Sequence, residues 1–128
     1  MTYYFEKEIE LNFDDAITHV TEELKKEGFG VLTVIDVKAT LKKKLDVDFR
    51  NYRILGACNP SLAHQSLSAE PYIGLMLPCN VVVQEGENCK TLVSAIDPIA
   101  SMQAVENKSL GGVAQQVRSK LQNVIENL

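Results

Sequence analysis

The chain has 128 residues, 45% hydrophobic and 23% charged, with a formal net charge of −4 and a sequence pI of about 5.2. This describes a single globular domain over residues 1–128 rather than a disordered chain, and its acidic balance gives no global electrostatic reason to bind nucleic acid. No apolar stretch approaches the length of a bilayer span, and residues 2–8 lack the basic-then-apolar pattern of a signal peptide, so a cytoplasmic location without membrane contact is expected.

Residues 2–10 alternate and carry early aromatics, which predicts a first strand. Asn12 then suits a helix N-cap, with Asp14 and Asp15 complementing the positive end of the dipole. Phe13, Ala16, Ile17, Val20 and Leu24 recur at helical spacing and form one apolar stripe, and Gly28 supplies a left-handed stop. His19 falls on the polar side of this helix and reads as a surface residue. Residues 29–37 predict a strand with Phe29, Val31, Thr33, Ile35 and Val37 on one face and Leu32 and Val34 on the other. A strand apolar on both sides is expected to be central and covered twice, with one layer open to a second subunit.

Residues 39–45 predict a short helix with Leu41 and Leu45 inward. The run Lys42-Lys43-Lys44 reads as its solvated face in preference to a phosphate site. Residues 50–58 return to strand character. Asn59-Pro60 starts the next helix by two signals, a cap and a proline at the first helical position, and Pro71 stops it. Residues 72–77 are apolar and ambiguous, and Val81-Val82-Val83 belongs to a strand that a connection at 84–88 joins to its partner at 89–96. Asp97-Pro98 repeats the cap-plus-proline start, giving a short helix through Ile99, Met102 and Val105. Gly111-Gly112 breaks the chain before a last amphipathic helix on Val113, Val117, Leu121, Val124 and Leu128. The order predicts a two-layer α+β domain with a mixed, mainly antiparallel sheet and helices packed on it.

Enzyme motifs are mostly absent. There is no phosphate loop, no dinucleotide fingerprint and no nucleophile elbow, and no cofactor is legible. Three cysteines without a Cys-x-x-Cys pair point to free thiols. Two of them recur in a common setting, Cys58-Asn59-Pro60 and Pro78-Cys79-Asn80. Cys58 is expected at a strand end just before a helix N-terminus, where unpaired amides and the dipole favour thiolate. If the strand begun by Cys79 lies beside that of Cys58, the two thiols meet at one end of the sheet, a usual place for ligands. Taken singly, each thiol also fits an apolar filler of the core. Cys89 reads as incidental. His64 is a weak third metal ligand beside Cys58 and Cys79, since the spacing fits no standard zinc pattern; two thiolates with Met76 would suit only a soft ion such as Cu(I), and Met76 reads more simply as core.

The stretches Tyr52-Arg53-Ile54-Leu55-Gly56-Ala57-Cys58-Asn59-Pro60 and Glu70-Pro71-Tyr72-Ile73-Gly74-Leu75-Met76-Leu77-Pro78-Cys79-Asn80-Val81 resemble the family catalogued as domain of unknown function 302, in a cysteine-bearing form. The resemblance implies a compact α+β fold and a homodimer, and no reaction. Two functions remain open. One is an accessory module that binds a small molecule, a sulfur species or a soft metal through Cys58, Asn59, Pro60, His64, Pro78, Cys79 and Asn80. The other is an interaction homodimer without chemistry of its own.

Overall fold

The computed structural model describes residues 2–128. Side-chain caps set several of its helix starts. Helix α1 (Phe13–Lys26) begins where the Asn12 side chain accepts the amide of Asp15 at 2.9 Å, and it ends where Gly28 turns to φ +83° and the Phe29 amide reaches back to the Leu24 carbonyl at 2.9 Å. Asp36 caps α2 (Val37–Leu45), Asn59 caps α3 (Pro60–Ala69), and Asp97 caps the short α4 (Pro98–Ser101). A 3-10 helix follows α3 at Pro71–Met76, a second spans Lys108–Leu110, and α5 (Gly111–Glu126) closes the chain.

Five strands, β1 (Tyr4–Ile9), β2 (Gly30–Asp36), β3 (Tyr52–Cys58), β4 (Cys79–Glu85) and β5 (Thr91–Ile96), form one sheet in the order β1-β5-β4-β3-β2. Each neighbouring pair is antiparallel, so the expected α+β class holds and the sheet carries no parallel ladder among the described residues. Strand alternation then separates two faces. On one face Leu55, Ala57, Cys79, Val81, Val83, Val93 and Ala95 are buried in a single cluster with Ala16, Val20 and Leu24 of α1 and Val117, Leu121 and Val124 of α5. The other face carries Asn80, Val82, Gln84, Leu92 and Ser94, all exposed or half-buried. Polar ties fix the layers at their ends. The Thr91 hydroxyl donates to the Leu11 carbonyl at 2.7 Å, and Lys7 Nζ donates to the carbonyls of Glu126 and Leu128 at the negative end of α5. No helix among the described residues is long and apolar enough to cross a membrane.

Several elements differ from the sequence expectation. β2 is an outer strand and not a central one, because the chain crosses the whole sheet through α1 before turning back strand by strand. A bulge between Val31 and Thr33 leaves Leu32 without a ladder partner and shifts the phase by one residue. Val31 therefore pairs with Ala57 on the helix side, whereas Thr33 and Ile35 pair with Gly56 and Ile54 on the open side, so the continuous Phe29–Val37 face does not exist. Leu32 and Val34 are left 68% and 58% exposed. Helix α2 buries none of its residues, and Leu45 is 66% exposed instead of inward. All three lysines of its run face solvent, with Lys42 beside Asp46 at 3.0 Å and Asp48 at 3.4 Å. Pro71 stops α3 as expected, with Glu70 extended before it, and it also begins a separate 3-10 turn, because its missing amide and fixed φ suit a first helical position. Gly111-Gly112 does not break the chain; both residues lie in the first turn of α5, already continuous with the preceding 3-10 turn. β5 starts at Thr91 and not at Cys89, since Asn88 and Cys89 adopt φ of 55° and 61° to close the hairpin.

Candidate functional site

Cys58 ends β3 and Cys79 begins β4, and the ladder pairs Ala57 with Cys79. The next residues diverge. After Cys58 the chain turns into α3, and the Asn59 side chain holds that turn from two sides: its Oδ1 accepts the Leu62 amide at 3.2 Å and its Nδ2 donates to the Glu27 carbonyl at the end of α1 at 3.5 Å. A Cβ at Gly28 would lie 3.0 Å from the same amide nitrogen, so the helix stop and the cap are fitted to each other. Before Cys79 the peptide Leu77–Pro78 is cis.

Cys58, Asn59, Pro78 and Cys79 all line one cavity of about 300 Å³. Its walls come from Leu62, Ala63, Ser66 and Leu67 of α3, Val113, Ala114 and Val117 of α5, Gly74 and Leu77 near the 3-10 turn, Met102 beyond α4, and Phe29 and Leu32 from the β2 side. Both cysteines thus line one cavity at this end of the sheet, and both are free thiols.

Three expected site residues lie elsewhere. Asn80 follows Cys79 in the strand and so points to the opposite face, where it lines a different depression of about 370 Å³ with Tyr4, Tyr52 and Val82. His64 is exposed: two residues on from buried Leu62 it lies about 200° around the helix, away from the cavity. Pro60 occupies the first helical position and faces solvent. Met76 is neither core nor cavity lining, and Met102 supplies the thioether in the cavity wall. Consequently Cys58, Cys79 and His64 do not assemble as a ligand set, and among the described residues no group of three His, Cys, Asp or Glu side chains is placed to hold a metal ion. Sequence reasoning missed the α5 and Met102 walls. The apolar stripe on α5 was visible, but nothing local tells which part of it faces a space and which faces the sheet.

Burial pushes the Cys79 thiol from its ordinary 9.0 to about 11, and charge on neighbouring Cys58 acts in the same direction. Cys79 therefore keeps its proton through neutral pH. Linkage fixes the sign: the unfolded chain releases this proton first as the pH passes the ordinary thiol range, so the stabilising difference is full below about 9 and is lost as the pH climbs toward 11. Between pH 8 and 10, wild type is expected to lose roughly 1 kcal/mol more unfolding free energy than Cys79→Ala, whose side chain does not titrate. Urea midpoints at the two pH values measure this, and parallel losses in the two proteins would refute it.

The sequence model of the family described as "Domain of unknown function DUF302" matches residues 5–128. Among solved structures, the chain is similar to the crystal structure of an uncharacterized conserved protein DUF302 from Bacillus stearothermophilus, with a TM-score of 0.89 and 28% sequence identity over 98% of this chain and 98% of that chain. No curated protein matches the chain.

Proposed function

Because the chain belongs to the family of domain of unknown function DUF302, whose description carries no reaction, we propose from its own geometry that it is a small-molecule-binding domain whose site is the cavity bearing Cys58 and Cys79. The observation that carries this reading is the convergence of both thiols on one cavity of about 300 Å³ walled by five separate parts of the chain. That volume is at the lower end of the range typical of ligand pockets, about 300–1,000 Å³. Cys58 is half-buried and open to a bound molecule, whereas Cys79 is buried and protonated, so Cys58 is the sulfur that meets the ligand. A soft metal bridging both sulfurs fits less well, since among the described residues no third His, Cys, Asp or Glu side chain is placed beside them.

The test combines native mass and thiol titration, performed anaerobically on a Cys89→Ala background so that the exposed third thiol does not contribute. Cys58 is expected to react with iodoacetamide at least about tenfold faster than Cys79, and bound mass, whether an organic molecule or added sulfur, is expected to slow that reaction. A Cys58→Ala variant that titrates like its parent would overturn the reading.

A second reading, a homodimer, has its own support. The outer strand β2 presents Leu32, Val34 and Ile35 to solvent, and exposed Leu45 and Val47 lie just beyond it in the chain. An exposed apolar edge strand is usually covered. The same native-mass measurement reads it: a dimer is expected at micromolar concentration, and a monomer counts against it.

A further inference from the structure

Resting on the small-molecule reading, we infer that the ligand of the Cys58 cavity is a neutral molecule whose buried part is hydrocarbon, an aryl or alkyl group, with any polar atom held at the Cys58 end. The inference follows from what the walls offer. None of the lining residues is charged. Of the polar side chains there, Asn59 spends its oxygen on the Leu62 amide and its nitrogen on the Glu27 carbonyl, and the Ser66 hydroxyl donates to the Leu62 carbonyl at 2.9 Å. Among the described residues no buried side-chain nitrogen or oxygen is left without a partner, and the wall offers no charged side chain to pair with a carboxylate, phosphate or ammonium.

A charged group in such a space would give up its hydration without a charged partner in the wall, a cost of several kcal/mol. The mouth repeats the chemistry of the interior. Leu32 and Leu67 both line the cavity and reach solvent, at 68% and 45% exposure, so a ligand meets apolar side chains from rim to floor. The two thiols add weak polarity to the wall: buried, protonated Cys79 offers a weak donor, and half-buried Cys58 lies nearer the opening.

The experiment titrates the full-length protein with the neutral fluorophore N-phenylnaphthylamine and displaces it with a matched pair, naphthalene methanol and naphthoate. One probe per chain is expected, with the alcohol competing at a concentration at least about tenfold lower than the carboxylate. Ala63→Phe, which fills the cavity from α3, is expected to weaken probe binding at least about tenfold, while Tyr52→Ala on the opposite sheet face leaves it unchanged. Met102→Phe fills the same space from another wall and serves if Ala63→Phe does not fold. If naphthoate competes as well as the alcohol and the filling variants still abolish binding, the ligand class is wrong and the binding site stands. If the probe does not bind, or binds the filled variants as it binds wild type, both the class and the site fall.

Discussion

Leu121→Ala is expected to lower the unfolding free energy by about 2–5 kcal/mol, a large share of the roughly 5–15 kcal/mol typical of a domain. Leu121 is fully buried on α5, in the cluster that joins this helix to α1 and to one face of the sheet. Removing its branched end leaves a void between α5, α1 and the sheet that the surrounding packing fills only in part. The penalty should therefore sit toward the upper part of the range for such truncations. Urea unfolding measures it as a lower midpoint at unchanged slope. A loss below about 1 kcal/mol would show that α5 does not pack as described.

Gly56→Ala should cost about 1–3 kcal/mol, although it adds only one methyl group. Gly56 sits in β3 between Thr33 of β2 and Asn80 of β4. A Cβ there would collide with the Thr33 hydroxyl and approach Pro78 Cγ to 2.7 Å. The Thr33 hydroxyl can move aside only by changing a χ1 that its branched Cβ restricts, and the Pro78 ring has little freedom of its own. Thr33→Ala removes one of the two obstacles, so the double variant should recover part of the loss, with a coupling of about 0.5–3 kcal/mol in a double-mutant cycle. Pro78 also lines the Cys58 cavity, so Gly56→Ala should weaken probe binding as well as stability. A Gly56→Ala protein as stable as wild type would overturn the account of this contact.

What was legible in the sequence was mostly local. The caps at Asn12, Asn59 and Asp97 act within three residues, and each is present as read. The α1 stripe and the β4–β5 hairpin also follow from short-range pattern. The convergence of Cys58 and Cys79 was within reach because both sit at strand ends that adjacent pairing must bring together. The failures depend on distant partners. The bulge at Leu32 exists only relative to β3, so no pattern within β2 could mark it, and the two apolar faces were read as burial when they belong to an edge. Asn80 was grouped with Cys79 by adjacency in sequence, whereas strand alternation sends them to opposite faces. Gly111-Gly112 was read as a break by propensity, but a helix start already held by a preceding turn tolerates both glycines.

The two borders of the sheet are chemically unlike. β2, at one side, offers backbone groups flanked by Leu32, Val34 and Ile35, and its bulge interrupts the row of free amides and carbonyls. β1, at the other, is lined by Glu6, Lys7 and Glu8 and followed by Glu10. Head-to-tail addition would have to join β2 to this charged border and would propagate into a filament. Joining β2 to its own copy would bury apolar side chains on both sides and leave two charged borders facing outward. If two chains associate by β2, as in the homodimer proposed above, the charged β1 borders left outside would oppose further addition, and the assembly would close at two chains by symmetry.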